Sequence, residues 1–157
     1  MESKFKIPTE TVELPSKGLL YPKDSPLAKG ELEMKYMTAK EEDILTNQNY
    51  IRNGTVIDKL LKSLIVTEGI KYTDILIGDK NAIMVAARIL AYGPEYPCEV
   101  TNPKSGEVLT HTFNLADCPF KKLPKGIKEN KFEVELPISK TKVCFKLLTG
   151  KEEESIQ

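Results

Sequence analysis

Residues 80–92, KNAIMVAARILAY, restrict the fold more than any other stretch of this chain. Wound into a helix, they leave almost no polar face, because apolar side chains fall on every side of the axis. A helix of that kind is buried on most sides or lies at an interface. Asp79 is the expected N-cap, and Gly93 with Pro94 ends the segment. The small residues Ala82, Ala86, Ala87 and Ala91 let neighbours approach closely, and Ile83 and Leu90 are taken as candidate interface or structural positions. Arg88 interrupts the pattern. Its head is expected to reach water or pair with a carboxylate, the alternative being a contact to a partner.

The hydrophobic period changes on either side of this helix. Upstream, GELEMKYMT (30–38) alternates like a half-buried strand. Thr38 with Glu41 then matches a capping box for a short helix over about 39–46, which NQNYIRNG breaks. TVIDKLLKSLIV (55–66) puts its apolar residues on one stripe behind Thr55 as N-cap, and Thr73 is placed to cap a turn, TDILIG. Downstream of Pro94 the period becomes two. YPCEVTN, EVLTHTFN, KFEVELP and KVCFKLLT are four strand candidates, the first two flanking the turn NPKSG. Helices and strands are segregated along the chain, which argues for α+β rather than a Rossmann-like α/β fold. The expected order is an extended arm, a helical middle (about 39–92) and antiparallel hairpins (about 96–149). In domain terms this is a proline-rich arm over 1–29, one α+β domain over 30–149, and 150–157 as a charged tail or the start of a truncated helix. The last possibility arises because Thr149 stands three residues before Glu152.

The arm contains VELPSKGLLYPKDSPL (12–27), with prolines at 15, 22 and 26. FKIPTETVEL (5–14) reads as extended, with Pro8 arguing against a central strand position. PSKG is turn-like, and Gly18 suits a positive φ. Prolines fix φ and withhold N–H donors, so the stretch can lie extended on a neighbour at little ordering cost. Pro15, Lys17, Gly18, Tyr21 and Pro22 are therefore candidate interface positions. Two readings stand side by side: an arm lying over the domain or an adjacent subunit, or a loop packed on its own core.

Chemistry is sparse. With 40% hydrophobic and 29% charged residues the chain is globular in character. Lys+Arg and Asp+Glu are 23 each, and that balance argues against nucleic acid as a main partner. No run approaches the roughly 20 apolar residues that span a bilayer, so no membrane partner is expected. MESKFKIPTE has no apolar signal core, so secretion by that route is not expected. Cys98, Cys118 and Cys144 read as reduced, partly buried thiols. No phosphate-binding, dinucleotide, HExxH, GxSxG or CxxC motif is present, and no cofactor is expected. Glu41, Glu42 and Asp43 splay around a helix and suit a solvated first turn rather than a metal site. Lys121, Lys122, Lys125 and Lys128 form a solvated loop or face an acidic protein partner, a nucleic-acid adaptor being the weaker option. The catalytic alternative is a hydrolase using His111, the single histidine, with a carboxylate.

VELPSKGLLYP, GELEMKYMTAKEEDILTNQNYIRNGTVIDKLLKSLIV and ILIGDKNAIMVAARILAYG together resemble the T4-like bacteriophage baseplate hub and baseplate assembly family, over about residues 10–150. The resemblance implies a structural or assembly component of a contractile phage tail and not an enzyme. Its expected partners are other tail and baseplate proteins, with self-association within the baseplate left open. Its expected location is the virion tail baseplate, with the host cytoplasm during assembly. The alternative is an assembly chaperone absent from the finished particle. Relatives carry a zinc-knuckle-like C-P-x-C-G at the hairpin turn, whereas this chain has NPKSG. Asn102 and Ser105 stand where thiolates would fall, so no metal is expected.

Overall fold

The computed structural model describes residues 8–156. The parts of the arm and tail expectations that fall on residues 1–7 and on Gln157 lie outside the described residues. The elements run β1 (Thr9–Glu13), β2 (Glu31–Lys35), α1 (Ala39–Thr46), α2 (Gln48–Arg52), α3 (Val56–Leu64), α4 (Ile77–Tyr92), β3 (Glu95–Thr101), β4 (Val108–Asn114), β5 (Phe132–Glu135), β6 (Lys142–Phe145) and α5 (Gly150–Ile156). The strands form three separate antiparallel pairs, β1–β2, β3–β4 and β5–β6. The fold is α+β.

One core serves the first half of the chain. Leu32 and Met34 of β2 point inward against Leu60, Leu61 and Leu64 of α3, Ile75, and Ile83 and Ala87 of α4. Each large apolar side chain removed from water there stabilises the fold by about 1.5–3 kcal/mol. β2 is held on both edges. β1 pairs along one, and on the other the Val66 N–H donates to the Glu33 carbonyl at 3.0 Å beside an isolated bridge between Met34 and Ile65. β1 is thus the outer strand, where a nearby proline is tolerated.

Several local expectations need correction. NQNYIRNG does not simply break the chain: Asn47 accepts from the Asn49 and Tyr50 N–H groups and starts the short helix α2. α3 ends at Leu64 rather than 66, because Ile65 turns extended to reach β2. Thr55 precedes α3 without a side-chain capping bond. α4 begins three residues earlier than expected, at Ile77, so Asp79 sits inside its first turn and is no cap.

Residues 14–30 connect β1 to β2 and bury Leu14, Leu20 and Leu27 in the same core. The C-terminal segment also returns to it. The Ile77 N–H donates to the Leu148 carbonyl (3.0 Å), and the Gly150 N–H donates to the Ile75 carbonyl (3.1 Å). α5 then opens with the Thr149–Glu152 capping contact. Lys80 pairs with Glu153 (2.9 Å) and with Asp58 (3.0 Å), tying α5 to α4 and α3. Between these anchored ends the two hairpins β3–β4 and β5–β6 stand largely in solvent. No helix among the described residues is long and apolar enough to cross a membrane.

Candidate interaction surface

The stretch Leu14–Pro22 is shaped by a close backbone approach. Lys17 and Gly18 both take positive φ, +50° and +73°. A Cβ on Gly18 would stand 2.2 Å from the Ala28 carbonyl oxygen, so only glycine fits there. Gly30 faces Lys17 in the same way, with 2.7 Å to its carbonyl carbon. The resulting turn aims Ser16 and Tyr21 at Asp79. Ser16 donates its N–H (3.0 Å) and hydroxyl (2.6 Å) to the Asp79 carboxylate. Tyr21 donates its hydroxyl to the same group (2.6 Å) and accepts from the Leu76 N–H (3.0 Å). Asp79 is only 2% exposed, and these donors are what make a buried carboxylate tolerable. Burial, then the Asp79 charge, pushes the Tyr21 hydroxyl far above its ordinary pKa, so it stays a donor. Of the expected interface residues here, Tyr21 fastens the segment to α4, and Gly18 packs it against Ala28. Lys17 and Pro22 face solvent, and Pro15 is half-buried.

On α4, Ile83 is fully buried in the core, so it is not an outward contact. Leu90 is half-buried and lines a groove of about 360 Å³ between β1 and residues 115–120, with Val85, Ala86 and Ile89. Met84 and Tyr92 are exposed, so the helix is covered on one side and open on the other. Among the described residues Arg88 forms no salt bridge to a carboxylate. Its guanidinium donates to the Gly93 carbonyl (3.2 Å) and reaches the Glu95 carbonyl (3.5 Å), with its centre 4.8 Å from the Tyr92 ring and 5.8 Å from the Tyr96 ring. It therefore joins the end of α4 to the start of β3.

The hairpins carry many uncovered apolar side chains. Residues directly opposite in an antiparallel pair share a face. In β3–β4 that places Tyr96 with Phe113, Cys98 with His111 and Val100 with Leu109 on one side. Glu95, Pro97, Glu99, Thr101, Val108, Thr110, Thr112 and Asn114 lie on the other, mostly polar side. Leu109 is 52% exposed and Phe113 46%. In β5–β6 the Phe132 and Phe145 rings stack at 5.2 Å beside Val134 and Val143, with Glu133, Glu135 and Lys142 opposite. At the tip of that hairpin Ile138 is 95% exposed. The sequence showed the period of two but not that both apolar faces would be left bare.

Groups singled out for chemistry are placed as follows. His111 lies edge-on to Phe113, ring centres 4.4 Å apart, on the exposed hairpin face. Asn102 accepts from the Lys104 N–H (2.9 Å), and the Ser105 hydroxyl accepts from the Glu107 N–H (3.3 Å). The two residues at the thiolate positions thus close the turn by hydrogen bonds. Cys98 is half-buried, but Cys118 and Cys144 are exposed, contrary to the expectation of partly buried thiols. Among the described residues no group of three or more His, Cys, Asp or Glu is arranged to hold a metal ion. Glu41 is not part of a solvated turn: it is fully buried and accepts from Lys35 (2.7 Å) and Ser63 (2.6 Å), as well as from Thr38.

Compared with known proteins, residues 7–153 match a family model described as T4 bacteriophage base plate protein. No curated protein and no solved structure matches the chain.

Proposed function

The chain belongs to the T4 bacteriophage base plate protein family, and on that premise we propose that it is a structural subunit of the hub region of a contractile tail, working through protein–protein contacts and without a reacting group. The observation that carries this reading is the pair of hairpins with one bare apolar face each. An isolated two-stranded hairpin is marginal in water, and contiguous exposed apolar surface marks a place where another molecule packs. The anchored core, fastened through Asp79 and Lys80, acts as the rigid base from which the hairpins reach neighbouring subunits. Ile138 at a hairpin tip suits insertion into a neighbour's apolar pocket. Self-association would be one way to cover these faces. Assembly in the host cytoplasm followed by residence in the virion baseplate completes the proposal.

The test is a chain carrying Leu109→Ser, Phe113→Ser and Ile138→Ser, supplied in place of the natural one during tail assembly. These exposed positions add little to the core, so the expected result is an unchanged melting temperature with lost incorporation into baseplates. Normal incorporation would end the reading. Mass spectrometry of purified particles separates a resident subunit from an assembly chaperone, since only the former persists in the finished tail.

A further inference from the structure

A second groove adjoins the α4 groove and shares Glu13 and Phe120 with it. Its volume is about 340 Å³, and its floor and walls are apolar: Leu14, Pro15 and Leu19 on one side, Phe120, Leu123 and Ile127 on the other. Leu19 and Phe120 are 47% and 54% exposed, so the apolar lining is open to an occupant. The rim carries Lys17, Lys121, Lys122 and Lys125 against a single carboxylate, Glu13. Among the described residues, none of these four lysines takes part in an ion pair.

We propose that this groove is a docking site for an acidic amphipathic segment of another tail protein, its bulky apolar side chains seated between Leu19 and Phe120 and its carboxylates facing the lysine rim. The proposal rests on the reading that the chain works by protein contacts, and it names the chemistry of one partner. Charge complementarity selects the occupant: cations crowd the mouth of an apolar trough, which favours a segment that is apolar on one side and acidic on the other. Nucleic acid fits worse. Phosphates would meet the lysines, but the floor offers one aromatic ring and otherwise aliphatic carbon, with no series of rings for base stacking. Within a second copy of this chain, helix α5 is a poor occupant, because it already uses Glu152 on Lys146 and Glu153 on Lys80. The second copy's β5–β6 hairpin, with Glu133 and Glu135 behind an apolar face, is the competing occupant that the test below separates.

The inference is tested by zero-length carbodiimide coupling of assembling tails, which joins a lysine amine to a touching carboxylate as an amide with loss of water to the reagent. The expected result is amide links from Lys121, Lys122 or Lys125 to Asp or Glu in an apolar-acidic segment of a different tail protein. A parallel chain with Lys121→Glu, Lys122→Glu and Lys125→Glu should melt as the natural one does, yet lose about tenfold or more in incorporation when the two compete. Lys17→Gly is a second probe. It removes one rim charge where glycine accepts the positive φ, so stability should hold or rise while incorporation falls. Links only to a second copy, retention on duplex DNA that the lysine changes abolish, or unchanged incorporation of the triple variant would each overturn the inference. In the last case, continued assembly through the hairpins would leave the structural role intact. Failure of the unaltered chain to join any tail component would remove that role as well.

Discussion

Gly18 occupies a position where the backbone itself leaves no room for a side chain. Its φ of +73° and the 2.2 Å approach to Ala28 act together, so Gly18→Ala must both strain the left-handed conformation and push two backbone segments apart. The expected cost is about 2–5 kcal/mol, adding left-handed strain to overpacking, and is measurable as a shift in the urea midpoint with unchanged slope. The turn was legible in PSKG, because glycine after a short polar run signals positive φ. The partner of Ser16 was not. Asp79 lies 63 residues away and resembles an ordinary helix cap; only the fold shows its carboxylate turned inward to Ser16 and Tyr21. Arg88 was likewise visible as an anomaly, but helix periodicity says nothing about the carbonyls of Gly93 and Glu95 that it serves.

Elements are held together by a few buried polar groups. Glu41 links α1 to β2 through Lys35 and to α3 through Ser63. Burial alone would raise its pKa, but the hydrogen bonds from Lys35, Ser63 and Thr38 outweigh it and hold the carboxyl at about 2, below its ordinary 4.5. A depressed folded-state pKa contributes stability that is complete above the ordinary value and is lost as pH falls toward the folded one. Glu41→Gln should therefore cost about 3–5 kcal/mol near neutral pH, since Lys35 loses its partner. The gap between variant and natural chain should close as pH drops from 4.5 toward 2, read by thermal melts across that window. A gap independent of pH would show that the ion pair is not what ties these elements. The helix α1 was legible from its capping pattern, but the burial of Glu41 was not, because a capping glutamate and a core glutamate look alike in sequence. The all-apolar pattern of α4 announced burial or an interface; one side is buried in the core, and the other leaves Met84 and Tyr92 exposed. α2 escaped notice because it is a single turn started by Asn47.

At the scale of the whole molecule, the chain divides its labour. Residues 9–92 build the core, the segment after β6 is fastened back onto it by hydrogen bonds and the Lys80–Glu153 pair, and the alternating stretches between them become hairpins that the core does not cover. Segregation of helical and strand periods made the α+β class readable in advance. The uncovered faces were not readable, because alternation identifies an apolar side without saying what packs on it. The same division sets the most direct test of a docking role. Hydrogen exchange should be compared between the free chain and assembled tail baseplates. In the free chain, β3–β4 and β5–β6 amides should exchange within the fastest class while α3 and α4 stay protected, since local opening is easiest where few apolar contacts hold the backbone. In the assembled particle the hairpin amides should become protected to the level of the core. Hairpins that exchange equally fast in both states would contradict a role built on covering those faces.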